Sequence, residues 1–168
     1  MPASPAINGN ARSSASFTRP ADTTAYASGD LVANNTTAGS VTPMQFPIKW
    51  PNSFFEVEQC RILKSSNVVL NASFRLHLFA SAPTVINGDN GVFTPTLLTD
   101  YIGALDVTID IAGNTQSVGV GTPKTGAGTE LSGKLDSGNV LFGLLEARGA
   151  YTPASAEVFT VTLDIEQD

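Results

Sequence analysis

Leu105-Asp106-Val107-Thr108-Ile109-Asp110-Ile111 alternates apolar and polar side chains without a fault. A period of two sends Leu, Val and Ile to one face of an extended chain and Asp and Thr to the other, the pattern of a strand with one face in a core and one in water. Phe74-Arg75-Leu76-His77-Leu78 reads the same way, as does Phe159-Thr160-Val161-Thr162-Leu163-Asp164-Ile165-Glu166, where β-branched residues suit a pleated surface.

Other stretches extend the pattern. Within 54–64, Phe55 and Val57 share one parity while Cys60 and Ile62 share the other, so an extra residue, a β-bulge, is expected near Glu58 and Gln59. Val140-Leu141-Phe142-Gly143-Leu144-Leu145 is apolar on both parities, as in a central strand covered on both faces or one at a subunit contact. Leu141 and Leu145 are therefore candidate contact residues. Shorter candidates at 29–33, 44–48 and 131–135 bring the expected total to about eight strands. Asn87-Gly88-Asp89-Asn90-Gly91, Ala112-Gly113-Asn114, Ser137-Gly138-Asn139 and Thr152-Pro153 supply turn chemistry between them. No dozen residues keep helical periodicity, and residues 94–102 have room for one short helix in a loop. The expected fold is all-β: an antiparallel β-sandwich of jelly-roll type over 17–168. Residues 1–16 (MPASPAINGNARSSAS) are small and polar with almost nothing to bury, and read as an extended N-terminal arm.

Composition narrows the chemistry. The chain has 168 residues, within the range of one domain. One Cys (Cys60) and one His (His77) exclude an intrachain disulfide and a Cys/His zinc cage. A net charge of −6 repels phosphate, so no nucleic acid partner is expected. The apolar runs are too short for a membrane span, and residues 1–16 lack the apolar core of a secretion signal. The sequons at Asn34, Asn35 and Asn71 are then chance matches. Charged residues are only 14% of the chain, a surface poor enough in charge to suggest that part of it is covered.

No catalytic, cofactor-binding or metal-ligating residue emerges. Residues 128–135 match G-x4-G-K, but Leu135 stands where a magnesium-binding hydroxyl is required, and residues 115–134 read instead as a flexible Gly/Thr hairpin connection. His77 lies mid-strand with no nucleophile elbow anywhere, and is expected at the surface or an interface beside Arg75. Cys60 reads as a small buried apolar residue. Asp106 and Asp110 share a strand face about 13 Å apart, too far for a carboxylate pair on a glycosidic bond. Asp89, Asn90 and Asp100 lack the spacing of a calcium loop.

Residues 17–33 (FTRPADTTAYASGDLVA), 71–79 (NASFRLHLF) and 141–166 with Ala150-Tyr-Thr-Pro-Ala154 inside them resemble a family of small virion structural proteins of tailed bacteriophages. The resemblance implies a jelly-roll decoration or cement protein on the outer surface of the phage head, with the major capsid protein as partner and no cofactor. A closed trimer would match the threefold sites of a shell. The arm would order on binding, laying Ile7, Arg12, Phe17 and Arg19 along the shell or an adjacent trimer. Two alternatives stand beside it: a tail, neck or baseplate component, and a carbohydrate-binding module. Trp50, Tyr26, Tyr101 and Tyr151 are too scattered in sequence to suggest a stacking platform for the latter.

Overall fold

The alternating stretch 105–111 serves two sheets rather than one strand. A computed structural model describes residues 9–123 and 131–167. In chain order its strands are β1 (Gly9–Thr18), β2 (Leu31–Val32), β3 (Met44–Pro47), β4 (Phe54–Lys64), β5 (Ser73–Phe79), β6 (Tyr101–Thr108), β7 (Ile111–Ala112), β8 (Ser117–Gly121), β9 (Leu131–Lys134), β10 (Val140–Ala147) and β11 (Val158–Gln167). β6 ends at Thr108. The Ile109 N–H then donates to the Ala72 carbonyl, and Ile111 pairs with Val118 in the other sheet. The alternation survives across this corner because Ile109 still points into the core, whereas Ile111 is exposed.

All strand pairs are antiparallel. A six-stranded sheet runs β1-β11-β4-β8-β7 with β9 also on β4, and a five-stranded sheet runs β2-β10-β5-β6 with β3 also on β10. The sheets share one core. β11 contributes Phe159, Val161, Leu163 and Ile165, and β4 contributes Phe55, Val57, Cys60 and Ile62; β5 and β10 answer with Phe74, Leu76, Leu78, Leu141 and Leu145. Each such side chain contributes about 1.5–3 kcal/mol of burial free energy. The expected bulge is present: Gln59 pairs with Asp164 and Val57 with Ile165, leaving Glu58 as the extra residue. Gly119 and Gly121 let β8 pass close to β6, since a Cβ there would lie 2.0 Å from the Thr108 carbonyl and 2.1 Å from that of Asp106. No helix among the described residues is long and apolar enough to cross a membrane.

Three expectations change. From Gly9 onward the segment read as an arm is strand β1, paired along its length with β11. Main-chain ladder bonds and polar cross-strand pairs hold it, neither of which leaves a hydrophobic signature. Residues 1–8, with Ile7, lie outside the described residues. Residues 94–102 form no helix: Pro95 bridges to Val85 and Tyr101 opens β6. Leu141 and Leu145 are fully buried between the sheets, so they do not reach a partner. The opposite parity of β10 is also covered, because Leu144 packs in a second cluster with Leu31, Ala33, Phe79 and Val85.

Candidate functional site

The outer face of the five-stranded sheet carries a network of polar side chains. Odd positions of β5 and even positions of β6 and β10 point there, placing Arg75, His77, Asp106 and Glu146 side by side, since Arg75 pairs with Asp106 and Glu146 in register. Arg75 holds Asp106 with two bonds, Nε to Oδ1 at 2.5 Å and Nη2 to Oδ2 at 2.8 Å. Glu146 is shared, with Oε2 2.8 Å from His77 Nε2 and Oε1 accepting from Arg148 Nη1 at 2.9 Å. His77 Nδ1 lies 3.2 Å from the Tyr101 hydroxyl.

Residues 80–100 fold back over this face. Phe93 stacks on the His77 ring at 4.2 Å, leaving His77 only 8% exposed. His77 is thus on the outward parity, as expected, but roofed rather than at the surface. Burial is the main cause that lowers its pKa, helped by Arg75 and Arg148 and opposed by Glu146. A His–Glu pair can orient a base, but its second nitrogen meets a tyrosine hydroxyl and its ring is covered, so the arrangement seats the overlying loop.

Two further ion pairs are sealed inside. Arg19 Nη2 donates to Asp89 Oδ2 at 3.1 Å and to Asp22 Oδ1 at 3.0 Å, and Nε donates to the Tyr26 hydroxyl at 2.9 Å. Asp89 also accepts from the Tyr26 hydroxyl and the Ala33 N–H, at 2.7 and 2.8 Å. Burial raises the Asp89 pKa against these bonds. At the same end of β11, where the Arg19 N–H donates to the Glu157 carbonyl, Lys64 Nζ donates to the Tyr151 hydroxyl at 2.7 Å, the Val68 carbonyl at 2.7 Å and Glu157 Oε1 at 3.2 Å. Burial lowers the Lys64 pKa, with Glu157 opposing. Both nodes are saturated with partners, which fits staples between segments.

No family model matches the chain, and no curated protein matches it. The structure itself therefore carries the functional reading.

The candidate contact residues do not form one surface. Arg12 is exposed and paired with Asp164, Nε to Oδ1 at 2.6 Å, and Phe17 is half-buried, stacked on Phe159 at 5.4 Å. Arg19, Leu141 and Leu145 are buried, and Arg75 and His77 lie in the network just described. Cys60 is buried as expected, and burial pushes its thiol pKa up to about 12. The described residues hold no group of three or more His, Cys, Asp or Glu arranged to take a metal ion.

The 80–100 excursion turns several large apolar side chains outward. Ile86, Val92, Leu97 and Leu98, all in the 80–100 excursion, are 58–70% exposed. The excursion has no Lys or Arg, and its two acids are Asp89, which is buried, and Asp100, which accepts from Ser81. Sequence reasoning missed these positions because they sit in irregular chain with no period to read. The usable signal was six large apolar residues, Val85, Ile86, Val92, Phe93, Leu97 and Leu98, in a stretch rich in Thr, Pro and Gly.

Proposed function

We propose that this chain is a non-enzymatic structural protein of a bacteriophage virion, a decoration protein that binds the major capsid protein on the outer surface of the head as a trimer. The observation that carries the reading is the 80–100 excursion, which turns large apolar side chains to solvent from a seat locked by His77, Phe93 and the Arg19–Asp89 pair. Four exposed large apolar side chains in a segment without Lys or Arg support a docking role, each buried Å² being worth about 25 cal/mol. The strand orders β1-β11-β4-β8 and β2-β10-β5-β6 support a jelly-roll route, the double-sheet form frequent in viral shells. The resemblance of residues 17–33, 71–79 and 141–166 to phage virion proteins points the same way. A protein that binds only the assembled shell stabilises it by mass action.

The test is co-sedimentation with heads stripped of accessory proteins. Wild type should pellet with heads, and Leu97→Asp/Leu98→Asp should stay in the supernatant while keeping its fold by circular dichroism. Wild type that ignores heads and follows tails would make it a tail or neck component, and binding to a glycan array instead would make it a lectin-like module; either result displaces the head reading.

A further inference from the structure

The seat beneath Phe93 also forms a chain of three groups. Glu146 Oε2 lies 2.8 Å from His77 Nε2, and His77 Nδ1 lies 3.2 Å from the Tyr101 hydroxyl. A neutral imidazole carries one N–H, and facing a carboxylate that proton belongs on Nε2. Nδ1 is then a lone pair aimed at the phenolic O–H. Arg148 donates to the other Glu146 oxygen at 2.9 Å, which fixes the carboxylate in place.

The two ends of the chain differ in access. His77 is 8% exposed beneath the Phe93 ring, so an outside molecule does not reach it. Tyr101 is 39% exposed, and Leu98, whose carbonyl accepts from the Tyr101 N–H at 3.2 Å, is 61% exposed. The base is sheltered while its proton donor stands at the surface. Burial raises the Tyr101 pKa, Arg75 opposes the rise, and Glu146 and Asp106 add to it. The hydroxyl therefore keeps its proton at neutral pH and needs a base to act as a nucleophile. Burial lowers the His77 pKa, with Glu146 opposing and Arg75 and Arg148 assisting, so the ring is neutral there and able to take a proton. The two acids of the excursion, Asp89 and Asp100, are held by Arg19 and Ser81.

We propose that Tyr101 is a nucleophilic modification site that takes an acyl group from a small activated ester, with His77 as its base and Glu146 setting the tautomer of that base. A hydroxyl within hydrogen-bond reach of a base that a third group orients is the arrangement that activates a side-chain nucleophile. The Tyr101 oxygen bonds to the acyl carbon and the bond from that carbon to its leaving oxygen breaks. The phenolic proton passes to His77 Nδ1 and on to the departing oxygen, leaving a tyrosyl ester and an alcohol. Arg75 and Arg148 are engaged by Asp106 and Glu146, and exposed Leu98 borders the site, which suits a neutral acyl group better than a phosphoryl group. The inference holds whether or not the protein binds phage heads.

The experiment treats purified full-length protein with p-nitrophenyl acetate and follows p-nitrophenol release, intact mass and peptide mapping. Acetylation of Tyr101 is expected at about 100-fold the rate of N-acetyltyrosinamide at the same pH, the lower end of what a positioned base supplies. Hydroxylamine should remove this ester while leaving acetyl-lysine amides intact. Tyr101→Phe should abolish the fast phase, and His77→Gln should bring Tyr101 down to the rate of the free amide. Because His77→Gln also disturbs the Phe93 stack, the wild-type pH profile decides independently. The rate should rise through the folded pKa of His77, below 6.5, and level off before the phenol itself ionises, above 10. Labelling of Tyr101 no faster than the free amide, or a rate that climbs only with ionisation of the phenol, overturns the proposal.

Discussion

Arg12 and Arg19 stand on one N-terminal segment and each grips an aspartate, yet the two pairs live in different media. The Arg12 side chain is 61% exposed and Asp164 22%, while those of Arg19 and Asp89 are 0% and 1% exposed. In water the attraction is screened and the long side chain gives up rotamer freedom, so an exposed pair adds little. Inside, the charges have lost their hydration and each depends on the other. The outer pair sets register along β1; the inner pair ties the start of the domain to the 80–100 excursion through Asp89. Position within the fold, rather than the chemistry of the pair, decides how much each supports.

Cutting the inner pair is the severest way to break this comparison. Asp89→Ala leaves an arginine that cannot lose its charge facing a vacancy, and should cost about 3–5 kcal/mol in urea denaturation. Asp164→Ala should cost less than about 1 kcal/mol in the same assay. Equal losses would show that burial is not what separates them. Next comes Arg19→Lys, which keeps the charge but loses the fork that reaches Asp22, Asp89 and Tyr26 together. A loss of about 1–3 kcal/mol is expected, and a neutral result would mean that charge alone holds the node.

Neither arginine's setting could be told from composition. Period-two alternation exposed the long strands β5, β6 and β11 because each has one wet and one dry face, and the parity switch in β4 located the bulge at Glu58. β1 left no such trace: its inward residues are Gly, Ala and Ser until Phe17, so a strand looked like an arm. The corner at Ile109 was hidden for the opposite reason, since alternation continued while the chain changed sheets. Leu141 and Leu145 were visible as apolar but not as inward, because both parities of β10 are covered, one by the facing sheet and the other by the excursion. The excursion itself is irregular, so its roof over His77 and its exposed leucines depend on contacts between distant segments that local pattern does not encode.

His77 sharpens the comparison from a third position, an ionisable group under a roof. Its folded pKa lies below the ordinary value of 6.5, chiefly through burial. The folded state therefore favours the neutral ring. Its contribution is fully present above 6.5 and is lost as pH falls through the folded value. Wild type should lose stability on acidification from 6.5 down to the folded value, and His77→Gln should flatten this limb. An unchanged slope in His77→Gln would remove His77 as the source.

The smallest effect belongs to Arg12→Ala. Asp164 is held below its ordinary 3.8 first by the bond from Arg12, with Gln59 and the charge of Arg61 assisting against burial. Its stabilisation is present above 3.8 and fades as pH falls through the lowered value. Arg12→Ala should shift that acid limb slightly upward and leave the neutral plateau nearly level. The same small difference should vanish in about 1 M salt, where the screening length is near 3 Å. A large, salt-resistant loss would mean that Arg12 supports β1 through packing of its methylene stem on β11, and the exposed pair would then belong with the buried one.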